Sequence, residues 1–325
     1  MKILITGGAG FIGSYLVEDL LGMGHNITVV DNMSTGTYNN IEPFKKDKKF
    51  SFVLGTILDE SLIMKLVSEC NQVFHLAAVV GVKHVMENPV DTIRTNTIGT
   101  ENILHCCAKH NKKVLIASTS EVYGKAMKIK KGNVGLKESD DSLFGATHIR
   151  RWSYATSKAL DEFLSLAYYQ EKSLPVVIVR LFNTVGPRQL GEYGMVIPIF
   201  VHKALLGDNL PVFGDGNQRR SFTYVGDVVK GIIKLMDTKK AEGEVINVGN
   251  SDEITINELA KLVIKITKSK SQIEYIPYEK AYGIGFEDMS RRKPDISKIK
   301  SLIGFKPTMG IEEIVEQVVT HIKSI

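Results

Sequence analysis

Cysteine, long apolar runs and an excess of one charge are all scarce in this chain. Its 325 residues include three cysteines, Cys70, Cys106 and Cys107. That is too few for a disulfide framework, and the adjacent pair has neither the spacing nor the histidine neighbours of a structural zinc site. A reducing, cytoplasmic compartment and a metal-free protein are the expectations. No segment approaches the roughly 20 uninterrupted apolar residues of a membrane helix, and the most apolar stretch, 176–182, is broken by Arg180. No membrane association is expected. The apolar start, residues 1–6, runs at once into glycines and then Glu18 and Asp19 with no cleavage-like site, so it reads as a strand and not a leader. Forty-one Lys and Arg against 36 Asp and Glu leave a net charge of +5, too dispersed for a nucleic-acid partner and better suited to a small anion. With 43% hydrophobic and 24% charged residues, disordered and fibrous classes are excluded.

Short runs that are apolar on both faces (3–5, 27–30, 52–54, 73–76, 114–117 and 176–179) alternate with helix-length amphipathic segments. That pattern describes a parallel sheet covered on both sides, a doubly wound, Rossmann-like α/β fold. A helical pattern from about Arg151 to Lys172 stops before Pro175. After Arg180, glycines and prolines thicken and the alternation becomes irregular. The expected organisation is a dinucleotide-binding unit of residues 1–180 plus 220–250, and a smaller, discontinuous α+β substrate-binding unit of 181–219 plus 251–325.

Between the first apolar run and the next helical pattern stands Gly7-Gly8-Ala9-Gly10-Phe11-Ile12-Gly13. Gly7 permits a tight turn, Gly10 lets backbone approach a pyrophosphate, and Gly13 allows a helix to pack closely on a strand. Free amides at the helix start then meet the phosphate charge. Asp31 ends the next strand about twenty residues on, where its carboxylate can accept from a ribose 2′-hydroxyl. A 2′-phosphate would be repelled there, and the following Asn32, Met33, Ser34, Thr35 and Gly36 offer no basic group, so NAD is preferred over NADP.

Tyr154 and Lys158 lie four residues apart near the start of the long helical pattern, on one helical face. A nearby ammonium favours a phenolate, which would bring the tyrosine towards the range of a working base. Ser118, Thr119, Ser120 and Glu121 follow the apolar run 114–117, and strand carboxyl ends face the ligand crevice in such a sheet. His75, by contrast, reads as a packed, hydrogen-bonded histidine, and His148, Arg150, Arg151 and Trp152 as capping or packing residues.

These motifs, with His75-Leu76-Ala77-Ala78, Asn96-Thr97-Ile98-Gly99-Thr100, Val122-Tyr123-Gly124 after Glu121, and the stretches 180–188 and 220–228, resemble the extended short-chain dehydrogenase/reductase family, specifically its nucleotide-sugar epimerase, dehydratase and decarboxylase branch. The resemblance covers nearly the full length. It implies that Tyr154 is the base, that Lys158 holds the nicotinamide ribose and tunes the tyrosine, and that Thr119 hydrogen-bonds the sugar 4-hydroxyl. The cofactor would further contact Phe11, Ile12, Asn32, Ser34, Thr35, Gly36, Thr56, Ile57, Leu76, Ala77, Ala78, Asn96 and Ser118. Ser120, Asn183, Val196 and Ile197 would line the substrate; Val212 and Phe213 would flank its base; Arg188 or Arg220 would meet its diphosphate. Thr56 stands where many relatives carry an acid that contacts adenine. Relatives of this branch pair two long helices per subunit, which implies a homodimer through Leu104, Cys107, Ala108, Leu160, Phe163, Leu164 and Ala167.

The shared first step oxidises the sugar at C4 to a ketone, after which the outcomes diverge. An epimerase returns the hydrogen to the opposite face, a 4,6-dehydratase expels the C6 hydroxyl, and a decarboxylase starts from a C6 carboxylate that becomes a β-keto acid. Glu121 should separate them, since a simple 4-epimerase needs no second carboxylate beside the sugar. UDP-glucuronate decarboxylases resemble Thr119-Ser120-Glu121, an arginine like Arg220, and the stretch Arg291-Arg292-Lys293-Pro294-Asp295-Ile296. Decarboxylation of UDP-glucuronate is the leading expectation, followed by 4-epimerisation of a UDP-hexose or UDP-uronate and then 4,6-dehydration. A non-catalytic NAD-binding sensor or scaffold is the alternative from a different class, and it would be expected to lack Tyr154 or Lys158.

Overall fold

A computed structural model describes residues 1–130, 132, 134–191, 195–282 and 289–324, with Val82, Lys83 and Tyr282 described by their backbone alone. Its main sheet has seven strands: β1 (Lys2–Thr6), β2 (Asn26–Asp31), β3 (Phe50–Leu54), β4 (Gln72–His75), β5 (Lys113–Thr119), β6 (Val176–Leu181) and β7 (Glu244–Val248). They are ordered β7-β6-β5-β4-β1-β2-β3 and every neighbouring pair is parallel. Successive side chains alternate faces. Ile3, Ile5, Val177 and Val179 face the cluster that includes helix α1 (Phe11–Gly22), while Leu4, Val176 and Ile178 pack on the other side. That other layer is formed by α2 (Glu60–Ser68), α3 (Pro89–His110) and α4 (Trp152–Lys172). Burial on both faces is why these strands have no polar side, and it yields the Rossmann-like α/β fold.

The helix stops follow local rules. Proline opens α3, Asn111 closes it with φ +50°, and Ser173 closes α4 with φ +54° before Pro175. Beyond β6 a second apolar cluster joins α5 (Val196–Leu206), α7 (Ile256–Thr267) and α8 (Ile311–Ser324), while α6 (Val225–Asp237) returns to the sheet beside α1. Ile296, Ile299 and Phe305 also pack into the sheet cluster, so the chain after Asn250 serves both clusters.

Two buried polar assemblies tie the layers together. Glu162 of α4 accepts from Arg180 of β6 at 3.0 and 2.7 Å and from the Ser118 hydroxyl of β5, and the Arg180 guanidinium lies 4.5 Å from the centre of the Tyr123 ring. His75 is held between the hydroxyls of Thr6 at 2.7 Å and Thr100 at 3.1 Å, and burial pushes its imidazole down to about 3.

Removing the Glu162 carboxylate leaves a buried guanidinium without its counter-ion. E162A should therefore lose about 3–5 kcal/mol of unfolding free energy in chemical denaturation; a loss below about 1 kcal/mol would contradict the role given to the pair. Because His75 titrates lower in the folded than in the unfolded chain, stability is lost as pH falls below the free imidazole value. Between pH 7 and 5 the wild type should lose about 2 kcal/mol more than H75N, and parallel stability curves would refute this.

Candidate active site

The carboxyl ends of β1, β2, β4 and β5 open into one cleft of about 510 Å³, a size that suits a bound small molecule. At one end lies the glycine turn. Gly7 has φ +73°, and a Cβ there would sit 2.7 Å from the Ala77 nitrogen. A Cβ on Gly13 would sit 2.2 Å from the Gly7 carbonyl oxygen, so the turn can close only without side chains. Gly10 stands at the N-cap of α1 and brings no side chain to cap it, leaving the first amides of the helix for a diphosphate. Phe11, Ile12 and Gly13 line the same wall.

Asp31 closes β2 with both oxygens engaged, Oδ2 accepting from the Ala9 amide at 3.0 Å and Oδ1 from Met33 at 2.8 Å. Burial pushes its carboxyl above the usual carboxylate range, and these amides pull it part of the way back. Asn32, Ser34, Thr35, Thr56 and Ile57 line the cleft around it. Gly36 does not; a Cβ there would meet Ala9 at 3.0 Å, so it packs behind the glycine turn. Asn40, unremarked in the sequence, lines the cleft and donates to the Ala9 carbonyl at 2.9 Å. A dinucleotide with a free 2′-hydroxyl fits these donors and this carboxylate.

Leu76, Ala77 and Ala78 continue the wall from β4. Asn96 lies outside the lining; its side chain donates to the Val79 carbonyl and accepts from the Val79 amide at 2.8 Å, clipping the loop that lines the cleft. Ser118, Thr119, Ser120 and Glu121 come from the end of β5 and face Tyr154 from α4. A hydrogen bond from Thr119 favours the Tyr154 phenolate, yet burial, followed by the Glu121 charge, pushes the phenol well above its usual value. This is opposite to the lowering expected from Lys158. The Lys158 ammonium is buried behind the cleft wall and bonds Asp161 at 2.7 Å, so its field is shared with a carboxylate.

The Glu121 carboxylate meets two guanidiniums. Its Oε1 lies 2.7 Å from Arg292 and 3.4 Å from Arg151, and all three side chains line the cleft beside Tyr154. Arg151, read from sequence as capping or packing, is therefore part of the site. Arg292 had been singled out only within a resembling stretch, and no spacing rule could have joined it to Glu121. Trp152 packs with Ala155 and Met289, as a packing residue.

On the opposite wall stand Asn183, Val196, Ile197, Phe213 and Arg220. Asn183 donates to the Ser221 carbonyl at 2.8 Å. Val212 is fully buried in the second cluster and does not reach the cleft; its strand neighbours Pro211 and Phe213 do. Alternation along the strand Leu210–Phe213 explains the difference. Arg188 lines the cleft, with its guanidinium 4.4 Å from the Tyr15 ring centre and bonded to Glu18 at 2.6 Å, on the glycine-turn side. Gln218 and Tyr278 complete this wall and were not expected.

Comparison with known proteins agrees with this construction. The sequence model of the GDP-mannose 4,6 dehydratase family matches residues 4–318. A UDP-N-acetyl-alpha-D-glucosaminuronate decarboxylase from Bacillus cytotoxicus is 45% identical over the whole chain and 98% of the relative. The UDP-glucuronic acid decarboxylase 1 of Danio rerio is 36% identical over 96% of this chain and 70% of its own length. Among solved structures, the UDP-glucuronic acid 4-epimerase of Bacillus cereus, in complex with UDP-glucuronic acid and NAD, matches with a TM-score of 0.88 at 30% identity, over 100% of this chain and 99% of that one. The chain belongs to the GDP-mannose 4,6 dehydratase family, within the extended short-chain dehydrogenases/reductases that modify nucleotide sugars.

Proposed function

We propose that this enzyme is an NAD-dependent decarboxylase of a UDP-linked uronic acid, either UDP-glucuronate or its 2-acetamido analogue. The observation that carries the reading is Glu121 held by Arg292 and Arg151 at the wall beside Tyr154. The decarboxylases named above supply the substrate class. NAD, when bound, supplies the oxidation at the sugar C4 and its later reversal. The residues proposed to hold it are those of the glycine turn, Asp31 and its loop, Thr56, Ile57 and the 76–78 wall.

Tyr154 is proposed to take the proton from the sugar O4 and return it at the end, with Thr119 fixing the 4-hydroxyl through the hydrogen bond it already makes to the phenol. Arg292 and Arg151 are cations placed to receive a C6 carboxylate, and Glu121 orients them. Once C4 is a ketone, the carboxylate leaves as carbon dioxide, and a proton must reach C5; Glu121 is the acid-base group positioned to relay it. Ser120 and Asn183 would line the sugar and Phe213 the base, while Arg220 is proposed for the diphosphate. Arg188 is proposed instead on the cofactor side, where it already meets Glu18.

A second reading, 4-epimerisation of a UDP-uronate, is favoured by the likeness to the Bacillus cereus epimerase. It would use the arginines to keep the carboxylate in place. We also propose a homodimer, supported by the exposed apolar Phe163 and Leu160 of α4 and Ile93 of α3, which are 73%, 53% and 44% exposed. Leu104 and Cys107 are buried within the chain and are not available for it. Among the described residues no helix is long and apolar enough to cross a membrane.

Offered NAD+ with UDP-glucuronate or UDP-N-acetylglucosaminuronate, the enzyme should release carbon dioxide and a UDP-pentose, read by product mass. An unchanged mass with inverted C4 would overturn the decarboxylase in favour of the epimerase. Y154F should lower kcat by about 10²–10⁴, and R292A by about thirtyfold or more; full activity in either would contradict the assigned roles. Light scattering should report a dimer at micromolar concentration, and a monomer would reject the helix-pairing surface.

A further inference from the structure

Lys158 and Asp161 sit one helical turn apart on α4 and form a buried ion pair, with side chains 2% and 1% exposed and a bond of 2.7 Å. Neither residue lines the cleft. Taking an ammonium and a carboxylate out of water is costly, and such a pair persists where the geometry over-determines it. Here the surroundings do so. Burial pushes the Asp161 carboxyl up, whereas the Lys158 ammonium, and after it the nearby Thr100 hydroxyl of α3, favour its charged form. Thr100 also meets Nε2 of His75, whose Nδ1 meets the Thr6 hydroxyl, which accepts from the Ala77 amide.

The donors can be ordered in one direction. The Ala77 N–H donates to Thr6, so the Thr6 hydroxyl proton is left for His75 Nδ1. Neutral His75, whose imidazole is pushed down to about 3 by burial and by the Lys158 charge, then carries its proton on Nε2 and donates to Thr100. The Thr100 hydroxyl proton is then left for Asp161, whose buried Oδ1 has no hydrogen-bond partner among the described residues. A chain whose dipoles all point at one carboxylate stabilises its charge. It begins at Ala77, a wall residue of the cleft, next in space to Gly7.

We propose that Asp161 is a positioning residue for Lys158: the buried carboxylate, faced by the end of the Thr6–His75–Thr100 chain, fixes where the ammonium sits and how much of its charge reaches Tyr154 and the cleft. This rests on Tyr154 and Lys158 being the reacting pair proposed above. Asp161 also acts on Tyr154 directly, since its charge is among those that raise the phenol. The sheet-side chain thus links the cofactor wall to the reacting helix through Thr6, His75 and Thr100, none of which lines the cleft. Helix spacing alone does not supply it, because Thr6, His75 and Thr100 come from β1, β4 and α3.

The test is a double-mutant cycle on the full-length enzyme with wild type, D161N, K158M and the double variant, each confirmed folded by circular dichroism. D161N should lower kcat on the uronate at least tenfold while KM moves less than twofold. In the K158M background the same change should alter kcat less than twofold. An equal factor in both backgrounds, or a KM change matching that in kcat, would show a merely structural carboxylate and overturn the proposal. The NAD+ dissociation constant, measured by calorimetry without substrate, should change at least threefold on D161N when Lys158 is present and less than 1.5-fold when it is Met. The same factor in both, or no change in either, would overturn the proposal even if the wild type turned over no uronate, so its failure is separable from that of the decarboxylase reading. If D161N does not fold, T100V serves in its place. It should lower kcat about threefold only where Lys158 is present, and an equal loss in K158M would be the refuting result.

Discussion

The ion pair between Glu121 and Arg292 is the constraint around which the cleft is arranged. Glu121 stands just past β5, at the carboxyl edge of the sheet, whereas Arg292 belongs to a segment far along the chain that crosses back over that edge. The crossing is pinned on both sides. Leu136 bridges Pro294, and Asn247 in β7 donates to the carbonyls of Leu136 and Asp295. Without that return, the sheet would present a dinucleotide site and a tyrosine with Arg151 as the one cation described beside Glu121. The pair therefore joins the carboxyl edge of the sheet to the returning C-terminal segment by charge.

The electrostatics of the reacting end follow from that placement. Bringing a carboxylate up to a buried phenol raises the phenol, and Glu121 is the second largest cause of the Tyr154 shift after burial. The arginines on Glu121 and the lysine held by Asp161 limit that field. One carboxylate thus meets two guanidiniums in the cleft and one ammonium meets one carboxylate behind its wall, and the phenol between them is set by the imbalance. A positively charged ligand or a desolvated sugar hydroxyl arriving in the cleft would change that balance at the moment it matters for proton transfer.

Much of this was legible in the sequence because a parallel sheet buried on both faces leaves continuous apolar runs, and because glycines that admit no Cβ are chemical necessities at their positions. All six apolar runs became strands of the main sheet, and Gly7, Gly13, Asp31, Thr119, Glu121 and Tyr154 came together at its carboxyl edge. What was hidden had different causes. Val212 and Phe213 are adjacent, and only the phase of a short strand decides which one reaches the cleft. Arg151 at a helix start looks like a cap, and its contact with Glu121 depends on how α4 docks against β5. Lys158 was readable as a charge near Tyr154, but its buried partner three residues on competes for it, and no spacing rule says which wins. Leu104 and Cys107 carry the same apolar signal as Leu160 and Phe163, although the first two pack inside and the latter two face outward.

The most direct measurement is a crystal structure of the enzyme with NAD and UDP-glucuronate bound. The sugar carboxylate should lie within hydrogen-bond distance of Arg292 or Arg151, with O4 reaching both Tyr154 and Thr119. A sugar bound with its carboxylate turned away from both arginines, or with O4 out of reach of Tyr154, would contradict the site described above.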